Sequence, residues 1–231
     1  MIDIHTHILP FIDDGAKELS DSIQMIEEEV RQGVKHIILT PHALRVDINP
    51  YTLDTLEKSF KEFKDIVEAK YPIKLYLGQE VYANDEVITH LRKKQVLTLH
   101  NSNYVLLELS YYNEPENLDE IIYACDILGI KIILAHIERY EYFKVKDFER
   151  LKDLGVLFQV NSGSFFSKHK EIRKRAYTFF KHGLVSFVAS DIHSFRTNTM
   201  QEAYLYIKDN FGETSALDVF YNNPKKILNI D

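Results

Sequence analysis

The chain has 231 residues, of which 45% are hydrophobic and 27% are charged, the balance of a folded globular protein rather than a disordered or membrane-embedded one. Its formal net charge of −7 argues against broad binding to nucleic acid, whose phosphate backbone is held by clustered lysine and arginine. No apolar run approaches the roughly 18 residues of a membrane helix, and the single cysteine cannot form an internal disulfide, so we expect a cytoplasmic protein without direct membrane insertion.

Short apolar runs alternate with amphipathic stretches, and no linker interrupts them, so we predict a single domain over residues 1–231. The predicted strands are residues 1–4, 36–40, 74–77, 104–109, 131–135, 157–160 and 185–189. The predicted helices are residues 21–32, 53–69, 118–128, 147–154 and 171–181. This alternation predicts a parallel α/β sheet covered by helices, either open or closed into a barrel. A glycine-rich nucleotide-binding loop is missing after the first strand, which favours the barrel.

Six of the seven predicted strands run into an imidazole or a carboxylate, at the end where a parallel barrel places its active site. These residues are His5, His7, His42, Glu80, Glu108, His136, Asp191 and His193. A lone histidine or acid at such a position is more often a hydrogen-bonded or helix-capping group. A whole set of buried polar groups is costly without a shared counterion, so the set predicts bound metal ions.

The donor types indicate which ions and which chemistry to expect. Alternate residues of a strand point the same way, so His5 and His7 can bind one ion together. Imidazole and carboxylate without thiolate suit Zn, Fe, Mn or Co, and carboxylates can bridge ions, so we expect more than one. A metal pair generates hydroxide at neutral pH and clamps a transferring phosphoryl group, which predicts phosphoester hydrolysis.

Arginines follow three of these strand ends. Arg139 lies three residues after His136, and its planar fork of donors matches the oxygens of a phosphate group. The alternative for Arg139 is a surface ion pair with a neighbouring glutamate. Arg45 and Arg196 are placed similarly but lie on less constrained loops.

Four further segments allow two interpretations each. The Asp-Asp-Gly sequence at residues 13–15 supplies a further ligand or only a turn before the first helix. The basic cluster at residues 92–94 is of a kind that usually forms a solvated helix face. The aromatic pairs at residues 111–112 and 165–166 either stack on a substrate ring or cover the edge of the core, which is more common.

Together these motifs resemble the polymerase-and-histidinol-phosphatase (PHP) superfamily, and within it the bacterial protein-tyrosine phosphatases of capsule and exopolysaccharide loci. The resemblance runs through nearly the whole chain and includes the opening Met-Ile-Asp-Ile-His-Thr-His, Thr40-Pro41-His42, Gly78-Gln79-Glu80, Ala135-His136-Ile137-Glu138-Arg139 and Ala189-Ser190-Asp191-Ile192-His193. It implies a distorted seven-stranded (β/α) TIM-like barrel that holds two or three divalent ions, with manganese favoured and Fe, Co or Zn as alternatives.

The resemblance also assigns roles to residues of this chain. The family's metal ligands fall on His5, His7, Asp14, His42, Glu80, Glu108, His136, Asp191 and His193. We expect Arg139, His42 and His193 to act in catalysis. We expect Arg139, Arg45 and Arg196 to bind the substrate phosphate.

The implied substrate is phosphotyrosine on the tail of a partner bacterial tyrosine kinase that controls capsule or exopolysaccharide synthesis. The alternative substrate is a small phosphomonoester, as in a histidinol-phosphate phosphatase with the same kind of centre. A second copy of the chain is another candidate partner.

Overall fold

The computed structural model describes residues 1–230, in which parallel strands alternate with helices. The strands are β1 Ile2–Thr6, β2 His36–Leu39, β3 His42–Ala43, β4 Lys74–Leu77, β5 Glu80–Tyr82, β6 Tyr104–Glu108, β7 Lys131–Leu134, β8 Leu157–Asn161 and β9 Phe187–Ala189. The seven predicted strands are confirmed, each within two residues of its predicted ends. The two additional strands, β3 and β5, are short, and each begins after a break of two residues that follows the preceding strand, at His42 and Glu80.

The helices are α1 Leu19–Arg31, α2 Leu53–Lys70, α3 Val87–Arg92, α4 Leu118–Ile127, α5 Val145–Asp153, α6 Lys170–Lys181, α7 Met200–Phe211, α8 Glu213–Leu217 and α9 Asn223–Leu228. The five predicted helices correspond to α1, α2, α4, α5 and α6. The C-terminal helices were not predicted, although α7 buries Met200, Ala203 and Ile207 at the spacing of an amphipathic helix. Within residues 1–230, no helix combines the length and the apolar character needed to cross a bilayer.

The strands form a curled parallel sheet. One part has the order β1-β2-β4, and the other has the order β3-β5-β6-β7-β8-β9. The first part runs on into the second, because β3 follows β2 and β5 follows β4 after breaks of two residues. The two far edges also meet: the backbone N–H of His7 donates to the carbonyl of Ile192 at 3.0 Å, and that of Asp191 donates to the carbonyl of His5 at 2.9 Å. The carboxyl ends of the strands therefore surround one mouth.

Two apolar clusters hold the sheet in shape. The larger one joins the helices to the outer face of the sheet and includes Phe148, Phe158 and Phe179. The smaller one lies inside the curl and consists of Ile2, Ile4, Ile38, Leu99, Leu106, Ile133, Ala135, Phe187, Ala189, Ile227 and Leu228. Alternate strand residues point to the same face, so the inner cluster fills the space directly below the mouth. The last two members belong to α9, which means that the C-terminal helix closes the bottom of the sheet.

Candidate metal centre

The structure brings all nine predicted ligands together at the mouth. Their donor atoms form four groups, in each of which the atoms lie within 4.8 Å of one another. The groups are His7, Asp14, His42 and His193; His5, His7 and Glu80; His5, His136 and Asp191; and His42, Glu80 and Glu108. Eight of the nine side chains are buried, and Asp14 is the exposed one. The geometry therefore agrees with the predicted set, while the role of these residues as ligands remains a prediction.

Glu80 lies at the centre of the cluster, because β5 begins at this residue, directly after the two-residue break that follows β4. Its Oε1 lies 2.9 Å from Nε2 of His136, and its Oε2 lies 2.9 Å from Nδ1 of His42. The same Oε2 lies 3.3 Å from Nε2 of both His5 and His7. One carboxylate thus faces four imidazoles, the arrangement of a group that bridges ions.

Asp191 divides its two oxygens between two kinds of neighbour. Oδ1 faces the imidazoles of His5 at 3.6 Å and His7 at 3.5 Å. Oδ2 accepts a hydrogen bond from Arg139 at 3.0 Å and lies 2.5 Å from Nη1 of Arg196. Asp191 therefore connects the imidazole cluster to the arginines.

Several buried atoms of the cluster point at one another without a hydrogen bond. Nδ1 of His42, Oε2 of Glu80 and Oε2 of Glu108 have no hydrogen-bond partner among the described residues. The Nε2 atoms of His5 and His7 lie only 3.2 Å apart. Unpaired buried polar atoms are rare because each costs about 1–3 kcal/mol. Cations shared within these groups would satisfy the unpaired atoms, so the donor set fits bound metal ions.

Charge coupling inside the cluster is strong. Burial lowers the pKa of His42, but the neighbouring carboxylates of Glu80 and Asp14 outweigh burial and raise this pKa to about 11. Burial and repulsion from Glu80 raise the pKa of Glu108 to about 7. Burial alone would raise the pKa of Glu80, but His5 and His42 hold it well below its usual range. Without metal, the raised pKa of His42 and the lowered pKa of Glu80 favour a protonated imidazole beside an ionised carboxylate, whereas burial and Arg139 lower the pKa of His136 to about 4.

Two donors occupy unusual backbone conformations. His136 has φ 32° and Asp191 has φ 50°, in the left-handed region that costs a non-glycine residue about 1–3 kcal/mol. Each residue lies two positions after the end of its strand, at the turn that aims the side chain into the mouth. Strain of this kind persists where the surrounding structure imposes it, and it is common at functional sites.

The three predicted phosphate-binding arginines line the same cavity, which has a volume of about 200 Å³. Their side chains are 20%, 26% and 31% exposed for Arg45, Arg139 and Arg196, so a substrate can reach them. Arg139 also donates to the hydroxyl of Tyr111 at 3.1 Å, and that hydroxyl donates to Glu108 at 2.7 Å. Tyr111 therefore lies inside the site, as the first of the two interpretations of the aromatic loops requires.

The second aromatic pair behaves differently. Phe165 is buried and packs against Phe180 and Tyr206, and Phe166 also contacts Tyr206. These side chains cover the edge of the core, which was the alternative interpretation.

Asp13 orients the site although it is not one of the nine. Its Oδ2 accepts a hydrogen bond from Nδ1 of His7 at 2.7 Å, which leaves Nε2 of that ring free to face the cluster. The loop approaches closely because residue 15 is glycine: a Cβ on Gly15 would lie 2.0 Å from the carbonyl oxygen of His7. In the Asp-Asp-Gly segment, the two carboxylates therefore have different roles, and Asp14 is the one that faces His42 and His193.

One of the seven predicted strands, β8, ends without a candidate ligand, but it supplies a buried chain of amides. Oε1 of Gln159 accepts from Nδ1 of His5 at 3.2 Å and from the backbone N–H of His136 at 2.7 Å. Nε2 of Gln159 donates to Asn161, whose own amide donates to Oδ2 of Asp191, each at 2.7 Å. This chain, which sequence reasoning missed, orients three of the candidate ligands and directs Nε2 of His5 toward the cluster.

The fold and the donor set define an α/β protein with a candidate metal site at the carboxyl ends of parallel strands. The family model for capsular polysaccharide synthesis, CpsB/CapC, matches residues 1–229. The tyrosine-protein phosphatase CpsB of Streptococcus agalactiae is 35% identical, over 99% of this chain and 98% of that protein. The chain belongs to the CpsB/CapC family.

Solved structures show the same relationship. A structure from the work on YwqE of Bacillus subtilis and CpsB of Streptococcus pneumoniae, described as unique metal-dependent tyrosine phosphatases, matches with a TM-score of 0.91 at 30% identity. It covers 99% of this chain and 94% of that one. The histidinol phosphate phosphatase of Lactococcus lactis matches with a TM-score of 0.59 at 12% identity, over 95% of this chain and 96% of that one, and this likeness concerns the fold alone.

Proposed function

We propose that this protein is a metal-dependent protein-tyrosine phosphatase, formed by one domain over residues 1–231 whose sheet is a distorted seven-stranded barrel. The observation that carries the proposal is the convergence of nine histidine and carboxylate side chains in four overlapping groups. The relatives named as tyrosine-protein phosphatases support the choice of substrate.

The four groups share His5, His7, His42 and Glu80, so they accommodate two or three ions rather than four separate ones. Their nitrogen and oxygen donors suit Mn first, with Fe, Co and Zn as alternatives. When bound, such ions lower the pKa of water and neutralise charge on the transferring phosphoryl group. The protein's own part is to fix these donors and to hold the substrate phosphate.

The arginines hold the phosphate. Arg139 is already oriented by Asp191 and Tyr111, so little side-chain freedom is lost when it binds the phosphate oxygens. Arg45 and Arg196 line the same cavity and would neutralise the remaining negative charge. Positioning and electrostatic stabilisation of this kind supply most of the catalysis in phosphoryl transfer.

The leaving group needs little assistance. Tyrosine has a reference pKa of about 10, so its phenolate departs more readily than an alkoxide. His42 and His193 both line the cavity and are the groups placed to hold a proton near the departing oxygen. Exposed Phe195 packs against His193 at the edge of the cavity, which suits a substrate residue that is part of a protein.

Membership of the family supports a proposal for the biological partner. We infer that the substrate is the phosphorylated tail of a bacterial tyrosine kinase, in the cytoplasm, with a role in capsule or exopolysaccharide synthesis.

The test compares wild type, Arg139→Ala and Arg150→Ala, a control arginine in an exposed ion pair with Asp119. With Mn, wild type and the control should hydrolyse a phosphotyrosine peptide, and chelation should abolish activity in both. Arg139→Ala should lower kcat/KM by about 10²- to 10³-fold, the effect of removing one preorganised donor, with unchanged metal content. Full activity after chelation would contradict the proposal, and a strong preference for histidinol phosphate over the peptide would assign the site to a small-molecule phosphatase.

A further inference from the structure

A second cavity adjoins the mouth. Its volume is about 390 Å³, and it shares His42 and Arg45 with the cavity of the metal centre. The remaining lining comes mainly from the loop before α2, from the break after β4 and from the end of α3, and it includes Leu44, Tyr51, Gln79, His90, Lys94 and Val96. A group that extends from the phosphate site past Arg45 therefore enters this cavity.

The charge of the lining is one-sided. Among the described residues that line it, none is aspartate or glutamate, whereas Arg45, His90 and Lys94 are basic. Arg45 pairs with Asp47 and Nε2 of His90 lies 3.9 Å from Glu86, but the ammonium group of Lys94 makes no ion pair with any part of the chain between residues 1 and 230. A positive lining is unusual in a chain of net charge −7. The cavity is therefore complementary to an anionic group.

The wall between the two cavities is fixed by hydrogen bonds. The hydroxyl of Tyr51 donates to the carbonyl of His42 at 2.6 Å and accepts from the amide of Gln79 at 2.9 Å. Oε1 of Gln79 accepts from the backbone N–H of Leu97 at 2.8 Å, three residues beyond Lys94. The segment that carries Lys94 is thus connected to a residue of the metal centre through three short hydrogen bonds.

We propose that this cavity is a subsite for an acidic side chain that flanks the phosphotyrosine of the substrate, with Lys94 as its main cationic contact. This inference rests on the proposed function and names its substrate more closely. An extended peptide advances at most about 3.3–3.6 Å per residue, so a residue close to the phosphotyrosine in sequence reaches the adjoining cavity. The apolar side chains of Leu44 and Val96 contact the methylene groups of the acidic residue. Lys93 and Lys94 of the basic cluster at residues 92–94 are both exposed, but only Lys94 lines the cavity and therefore has a specific role.

The experiment measures kcat/KM of the manganese-loaded protein on three phosphotyrosine peptides of equal length, flanked on both sides by glutamate, glutamine or lysine. Wild type should prefer the glutamate peptide over the glutamine peptide by about fivefold, the size of one well-placed charge contact, and added salt should shrink this ratio. Lys94→Glu and Lys94→Gln should reduce the ratio to one or below. Lys93→Glu changes the net charge by the same amount as Lys94→Glu and should keep the wild-type ratio.

The outcomes separate the two proposals. If wild type hydrolyses all three peptides with equal efficiency, the subsite does not exist but the phosphatase function stands. If the ratio falls equally in Lys93→Glu and Lys94→Glu, the preference comes from the overall field of the protein, and the subsite is again rejected. If wild type hydrolyses none of the peptides, both proposals are wrong.

Discussion

The strand ends that carry candidate ligands and the end of β8 occupy equivalent places in the sheet, but their side chains differ in charge and in hydrogen bonding. Around Glu80, the side chains are charged or ionisable, and several of their buried atoms have no hydrogen-bond partner among the described residues. On β8, Gln159 and Asn161 are neutral amides whose side-chain donors and acceptors satisfy one another and the neighbouring strands. The first region contains buried polar atoms that cations would pair, whereas the side chains of the second region pair with one another and with neighbouring strands.

This difference separates binding from orientation. A charged cluster with unpaired atoms supplies the affinity for ions, because the ions remove the cost of burying like groups together. A fully paired amide chain supplies no affinity of its own, but it fixes which nitrogen of His5 faces the ions. The effects of substitutions on metal binding and activity should therefore differ in size and in kind between the two regions.

The largest effect should come from Glu80→Ala. Glu80 belongs to two of the four donor groups, so its loss should remove at least one bound ion. Because metal ions contribute several kcal/mol to the stabilisation of a phosphoryl-transfer transition state, kcat should fall by about a thousandfold or more. Elemental analysis and peptide kinetics measure the two consequences. The exposed Glu62→Ala serves as the control, and a Glu80→Ala protein with full metal content and full activity would place the ions elsewhere.

A smaller effect is expected for Gln159→Leu, which keeps the size of the side chain but removes the acceptor for His5 and the donor to Asn161. Loss of such a supporting hydrogen bond typically lowers metal affinity by about 10- to 100-fold. Competition with a fluorescent chelator measures the affinity. Gln159→Glu keeps an acceptor oxygen and should retain more affinity than Gln159→Leu. Equal affinity in wild type and Gln159→Leu would show that the amide chain only packs.

The smallest expected effect is the dependence of metal affinity on pH. The pKa of His42 is raised from 6.5 to about 11 in the metal-free chain, so an ion must displace a proton from this ring near neutral pH. Apparent metal affinity should therefore rise by about tenfold per pH unit for this one proton between pH 6.5 and pH 8.

The metal-free fold should show the opposite trend. The pKa of His42 is raised on folding, so its contribution to stability is fully present below about pH 6.5 and is lost as pH rises toward 11. Melting curves with chelator and with Mn, for wild type and His42→Gln, test both trends. Identical pH dependence in the two proteins would mean that His42 does not carry the displaced proton.

Sequence reasoning reached one of these two regions and not the other. His5, His42 and Asp191 were found because an imidazole or carboxylate directly after an apolar strand is rare and costly to bury. Gln159 gave no such signal, because a neutral amide within a strand is equally suited to a packed or a solvated position. Its role depends on which strands lie beside β8, and that information is tertiary.

The local sequence also left other features of the site and the sheet undecided. Spacing alone did not separate the roles of Asp13 and Asp14, because both carboxylates precede a glycine turn and only the close approach of Gly15 to His7 decides which one faces the cluster. Strands β3 and β5 were missed because two- and three-residue strands carry no periodicity of their own. They exist because the sheet continues past the breaks that follow β2 and β4.

The most direct test of the central claim is an anomalous diffraction map of crystals grown with manganese. The account predicts two or three peaks at the mouth, each about 2.0–2.3 Å from donor atoms of the nine residues, with Glu80 touching more than one of them. A map with no peak at the mouth, or with peaks only at other surfaces, would contradict it.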